Sequence, residues 1–147
     1  SKGYGLTGIR VGYIVSNENM IASIAPFHHA MNICAPVNAQ YASIEALNHS
    51  RSWFDVEMKN ININRKLWID TLRDLEIPFG ESQGAYYICF DISKFKKSSK
   101  EVSQELREKH KLIINSQDEN YLRASFMADK DTLEIGLNKL SEYFRNI

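Results

Sequence analysis

Few residues in this sequence could staple a fold covalently or carry it through a membrane. Its 147 residues include two cysteines, Cys34 and Cys89, far apart in the chain. They form no C-x-x-C pair, and no Cys/His cluster has zinc spacing, which excludes a disulfide framework and a zinc module. They read as small buried or half-buried hydrophobes in a reducing compartment. Charge of one sign is also lacking: Lys+Arg and Asp+Glu are both 18, for a formal net charge of zero. That argues against the basic footprint of a nucleic-acid binder and against attraction to anionic membranes. No apolar run approaches the ~20 residues of a membrane span. The opening Ser1–Gly5 has no apolar stretch of the kind a secretion signal needs. The expectation is a cytoplasmic protein with neither nucleic acid nor membrane as a partner. The chain starts without Met, inside what reads as a motif, which suggests a piece of a longer protein.

The apolar residues that are present fall into periodic patterns. Ile9 to Ser16 is rich in β-branched residues and reads as a strand. Asn17 can cap a helix with Met20, Ile24, Phe27 and Met31 on one face, which Pro26 should kink or interrupt. After a break at Pro36, Asn38 can cap a second helix whose Tyr41, Ile44 and Leu47 face inward. The strongest pattern runs from about Trp53 to Leu75. Phe54, Met58, Ile61, Arg65, Trp68, Leu72 and Leu75 form one stripe of a long helix packed on a domain core, and Pro78 follows its end. Ala85 to Asp91 alternates, with Tyr86, Ile88 and Phe90 on one face of a strand. Ser98 and Glu101 fit a capping box for a helix to about Lys109, burying Val102 and Leu106. Leu112 to Ile114 and Tyr121 to Phe126 read as strands. Asp131 and Glu134 suit the start of a last helix with Leu133, Leu137, Leu140 and Phe144 inward. From about residue 77 the order is strand, strand, helix, strand, strand, helix. That predicts an α+β fold, a small sheet with helices on one side.

The first ten residues carry the chemistry. Gly3, Gly5 and Gly8 spell G-x-G-x-x-G, but a dinucleotide fingerprint needs a strand before it and a helix opening at it. Here only Ser1 and Lys2 precede the motif and a strand-like run follows. A kinase glycine loop would want Val where Arg10 stands. The non-glycine residues give a different reading. A lysine that condenses with an aldehyde must shed its proton in a site that lowers its pKa. A cofactor phosphate wants a fixed cation, and the arginine fork binds phosphate oxygens in pairs. Glycines between the two let the backbone come close to a ligand. Lys2 and Arg10, with three glycines between them, meet these needs. By contrast, His28 and His29 are adjacent on a helix, point apart and have no third ligand near, so no metal site is expected.

This run resembles the Ser-Lys-x-x-x-x-x-Gly-x-Arg signature of fold-type I, aspartate-aminotransferase-like enzymes. The usual continuation is here Gly5-Leu6-Thr7-Gly8-Ile9-Arg10-Val11-Gly12-Tyr13. The resemblance implies pyridoxal 5'-phosphate (PLP) as cofactor, held as an imine by Lys2, which also moves the substrate proton. It implies that Arg10 binds the cofactor phosphate and that Ser1 contacts it. Ala35 to Gln40 and the helix to Leu47 are similar to the family's Pro…Gln…Ala-Leu segment. Gln83-Gly84-Ala85-Tyr86-Tyr87 is similar to a Gly-Ala-Phe-Tyr strand start. Tyr121-Leu122-Arg123-Ala124-Ser125-Phe126 is similar to a Tyr-x-Arg-x-Ser-Phe strand whose arginine grips the substrate α-carboxylate. Period two agrees, since it sets Arg123 opposite the apolar Leu122, Ala124 and Phe126. One departure stands out. The family places a longer loop before the arginine strand, where here only Asn115 to Asn120 intervene. Either the loop is short, which would open the substrate pocket, or residues are missing from it.

The resemblance implies the C-terminal portion of an aminotransferase. Residues 1–35 would be the remnant of the large PLP-binding domain, 36–75 linking helices, and 76–147 the small C-terminal domain. It further implies amino acids and 2-oxo acids as substrates and a homodimer at full length. The isolated piece is expected to fold around its small-domain core, to bind PLP weakly and to be catalytically incompetent. Two alternatives remain at this point: a PLP-dependent carbon–sulfur lyase or related enzyme on the same fold, and a non-catalytic aminotransferase-like effector domain.

Overall fold

The computed structural model describes residues 2–49 and 51–147, apart from the side chains of His49, Arg51 and Trp53. The chain divides into two compact units, Ser1–Val56 and Glu57–Ile147.

The first unit is a turn at Lys2 to Gly5, a 3₁₀ turn at Thr7–Ile9, and the helices α1 (Glu18–Asn32) and α2 (Val37–His49). Asn17 caps α1 as its sequence suggests, accepting from the Met20 N–H at 2.9 Å. Two expectations fail here for one reason. Residues 10–16 form no strand, and Tyr13, Ile14 and Val15 are exposed. The β-branched pattern is real, but a strand exists only with a ladder to pair with, and none of the described residues supplies one. Likewise Met20, Phe27 and Met31 on α1, and Tyr41, Ile44 and Leu47 on α2, are exposed rather than inward-facing. Ala39 is buried in α2, while α1 has no buried residue. α1 runs through Pro26 without interruption. Asn38 lies inside α2 rather than capping it, and its side chain accepts from the next residue's N–H, that of Ala39. Cys34 is exposed, against the expectation of burial.

The helix α3 (Arg51–Asp74) contains the boundary between the units, and in the second unit its apolar stripe does what its spacing predicts. Trp68, Leu72 and Leu75 are buried, with Ile61 partly so. The helix ends in a left-handed residue, Glu76 (φ 52°). Its N–H bonds to the Arg73 carbonyl, and the next N–H, of Ile77, reaches back to Leu72. This is the Schellman arrangement, and the apolar pair that accompanies it, Leu72 and Ile77, lies in the core.

Beyond it come β1 (Tyr87–Asp91), a 3₁₀ turn at Ser93–Phe95, α4 (Ser99–His110), β2 (Asn115–Ser116), β3 (Tyr121–Ser125) and α5 (Lys130–Arg145). The three strands form an antiparallel sheet in the order β1-β3-β2. The first strand of the expected series is reduced to a bridge between Phe79 and Phe90. The strand expected at Leu112 to Ile114 forms instead at Asn115–Ser116, because those residues find the β3 ladder opposite Arg123 and Leu122. Gln117 N–H bonds the Tyr121 carbonyl, and the Asp118 carboxylate accepts from Asn120 and Tyr121, so the short connection closes as a tight hairpin. The capping box at Ser98 and Glu101 is complete, and α5 is capped by Asp129.

The core holds Ile88 and Phe90 of β1, Leu122 and Ala124 of β3, Val102 and Leu106 of α4, and Leu133, Leu137, Leu140 and Phe144 of α5. The opposite face of the sheet carries Tyr87, Cys89 and Arg123, each half-buried. Within the second unit, α4 and α5 thus pack on the Ile88–Phe90 face of the sheet, as an α+β reading requires.

Candidate active site

The predicted site residues fall into the two units: Lys2 and Arg10 in the first, Arg123 in the second. Ser1 lies outside the described residues.

Lys2 opens a turn closed by the Gly5 N–H on its carbonyl, and its residue is exposed. Gly5 has φ 64°, the left-handed region where glycine alone is unstrained. The chain then coils through the 3₁₀ turn, and Arg10 itself takes a left-handed conformation (φ 57°, ψ 48°). This left-handed residue ends the 3₁₀ turn, as Lys96 and Lys111 end later helices. The Arg10 guanidinium turns back to donate to the Thr7 carbonyl at 3.1 Å. Among the described residues, a Cβ placed on Gly3 or Gly8 would meet nothing within 4 Å beyond its own chain neighbours, so there is space beside the loop backbone.

Arg123 sits on the central strand, opposite Cys89 of β1 and Asn115 of β2. Its guanidinium carbon lies 4.9 Å from the centroid of the Tyr87 ring. Its Nε is buried and has no hydrogen-bond partner among the described residues. A buried guanidinium N–H left unmatched is costly, and a carboxylate is the ligand that would match it. Tyr87 is held in turn. Ser82 Oγ donates to the Tyr87 carbonyl at 2.7 Å, and Arg65 Nε on α3 donates to the Ser82 carbonyl at 2.9 Å. Sequence reasoning missed both residues. Arg65 left a signal, a lone cation inside an apolar stripe, which usually means a fixed acceptor. Tyr87 left none until the β1–β3 register was known.

Elsewhere in the second unit Glu105 accepts from Lys97 at 2.7 Å and from the Tyr143 hydroxyl at 2.5 Å. These bonds, Lys97 first, hold its carboxyl at about 2, well below its ordinary range. Burial, and then the bond to Glu105, push the Tyr143 hydroxyl up. Because each group favours the other's present protonation state, the cluster is a structural tie and not a proton-transfer pair. A cleft of about 530 Å³ between α3 and the start of α5 is lined by Asn60, Asn64, Phe126 and Asp129 among others, and by none of the predicted site residues.

With a long helix leading into an α+β sheet in the second unit and a Lys–Gly–Arg loop in the first, the chain can be compared with known proteins. Residues 1–140 match the family model "Aminotransferase class I and II", and the chain belongs to this family. An aspartate aminotransferase of Pyrococcus horikoshii is 30% identical over 153 aligned positions, covering 97% of this chain and 39% of the relative. The (5-formylfuran-3-yl)methyl phosphate transaminase of Methanocaldococcus jannaschii is 27% identical, covering 97% of this chain and 40% of its own. Among solved structures, an aromatic aminotransferase from Pyrococcus horikoshii matches with a TM-score of 0.85 at 25% identity, over 99% of this chain and 41% of that one. The chain therefore spans about two-fifths of the length of these relatives.

Proposed function

We propose that this chain is the C-terminal portion of a PLP-dependent aminotransferase that moves an amino group from an amino acid to a 2-oxo acid. The observation that carries the reading is the coiled loop from Lys2 to Arg10, with an exposed lysine residue at one end and an arginine that ends the 3₁₀ turn at the other. The donor set suits PLP: an amine for its aldehyde, a guanidinium for its phosphate, and open space beside Gly3 and Gly8 for close approach. When bound, the cofactor supplies an electron sink that eases loss of the substrate Cα proton. Lys2 Nζ would hold the cofactor and then carry that proton as general base and acid. Arg10 would anchor the phosphate, with Ser1 contributing. Arg123 would orient the substrate through its α-carboxylate, with its unmatched Nε as one of two parallel donors.

In this reading residues 1–35 belong to the large domain, 36–75 link, and 76–147 form the small domain. The complete protein would be a cytoplasmic homodimer. No helix among the described residues is long and apolar enough to cross a membrane. The 147-residue chain alone would bind PLP weakly and turn over no substrate.

The test is spectroscopic. PLP titrated into the complete gene product should give a stoichiometric bound-cofactor absorbance that is abolished in Lys2→Ala. Arg10→Gln should weaken cofactor binding about 10- to 100-fold, the loss of a charged, bidentate contact of roughly 1.5–3 kcal/mol. Tight, stoichiometric binding by the 147-residue chain alone would overturn the fragment reading. An unchanged absorbance in Lys2→Ala would overturn the function.

A further inference from the structure

The Tyr87–Arg123 face of the sheet holds a feature that the proposed chemistry does not use. Arg123 is a long, flexible cation, and a guanidinium free to swing binds a planar ligand poorly, because its rotamers must be frozen on binding. Here it is not free to swing. Tyr87 pairs with Ser125 and Cys89 with Arg123, so Tyr87 and Arg123 are diagonal neighbours on one face of β1 and β3. The guanidinium carbon stands 4.9 Å from the Tyr87 ring centroid, inside the range of a cation–π contact. The Tyr86 ring backs Tyr87 with centroids 4.7 Å apart. The strand beneath is fixed by Ser82 on the Tyr87 carbonyl and by Arg65 on Ser82. With its carbon over a ring, the guanidinium hydrogen-bonds through its N–H groups, and among the described residues the buried Nε has no partner.

We propose that Tyr87 is the positioning residue of the carboxylate site: its ring, against the Arg123 guanidinium, limits how Arg123 presents its donors, while Ser82, itself held by Arg65 of α3, fixes the Tyr87 backbone. This rests on the reading of Arg123 as the carboxylate anchor. The ligand class is a planar carboxylate, met edge-on.

The complete gene product is assayed with 2-oxoglutarate as acceptor and L-aspartate, L-glutamate and L-tyrosine as donors. Variants are Arg123→Gln, Tyr87→Phe and Tyr87→Ile, the last chosen because a β-branched residue suits a strand. Tyr87→Ile should raise the donor KM about tenfold, as expected of a half-buried cation–π contact, between the exposed and the desolvated cases. Its kcat should change less than about twofold, and Tyr87→Phe, which keeps the ring, should restore the KM. A normal KM in Tyr87→Ile, beside a raised KM in Arg123→Gln, overturns the role of Tyr87 alone. An Arg123→Gln variant with unchanged KM, or no turnover with any donor, sinks the carboxylate-anchor reading and this inference with it. Should Tyr87→Ile not fold, the Nε–H resonance of Arg123 in the wild-type chain decides. An upfield ring-current shift that persists in Tyr87→Phe supports the stacking, and its absence in the wild type overturns it.

Discussion

Asn64 is buried within the inner face of α3, yet its side-chain NH₂ is matched, donating to the carbonyls of Phe126 and Ala128 at 2.8 Å each. It ties the long helix to the exit of the strand that bears Arg123. Asn64→Ala should cost about 1–2 kcal/mol, since it removes the donor to the Ala128 carbonyl, while the Phe126 carbonyl keeps its bond from the Ala128 N–H. Asn64→Asp should cost at least as much, because a carboxylate cannot donate to them. Urea denaturation midpoints of the two variants against wild type check this. A loss below about 0.5 kcal/mol in Asn64→Ala would mean water replaces the amide. At this scale the sequence spoke through parity and spacing. Arg123 declared its face because Leu122, Ala124 and Phe126 declared theirs. Asn64 was silent, because it lies beside the apolar stripe and its acceptors are more than sixty residues away.

Among the elements, α4 and α5 are joined by Glu105, which takes bonds from Lys97, from Tyr143 on α5 and, at 3.5 Å, from Lys109. A carboxyl held near 2 in the folded state, below its ordinary 4.5, adds stability that is complete above pH 4.5 and fades as the pH falls toward 2. Glu105→Gln should therefore be less stable than wild type at pH 7, and the gap should close between pH 4.5 and 2. Tyr143→Phe, which removes the hydroxyl but keeps the ring packed against Phe144, should cost about 1–2 kcal/mol at pH 7. Thermal melts across that pH range measure both, and a gap that stays constant with pH would show that Glu105 acts through packing alone. The helices were legible in the sequence because their signals are local: the capping box at Ser98 and the stripes on α3 and α5 need no distant residue. The short strand was misplaced by a few residues because β2 is defined by hydrogen bonds to β3. No local pattern in Leu112 to Ser116 encodes that register.

At the scale of the molecule the two units differ in how much they bury. The core from Trp68 to Phe144 lies in the second, whereas in the first α1 buries nothing and α2 buries Ala39. Hydrogen exchange of the 147-residue chain should therefore be slowest in β1, β3 and α5, and near the unprotected rate in α1 and α2. Protection in α1 matching that of α5 would show that its apolar face is covered. The same contrast explains the misread strand at Ile9 to Ser16. Periodicity reports what a segment is built to bury, while burial itself depends on which surfaces are present to receive it.

The sheet also controls its own margins. One edge is a strand of two residues, β2, and the outer edge of β1 is occupied where Gly80 N–H bonds the Cys89 carbonyl and Asp91 N–H bonds that of Pro78. Neither side offers a long row of free amides and carbonyls on which a foreign strand could grow. Among the described residues, the sheet margins therefore give little purchase for edge-to-edge growth.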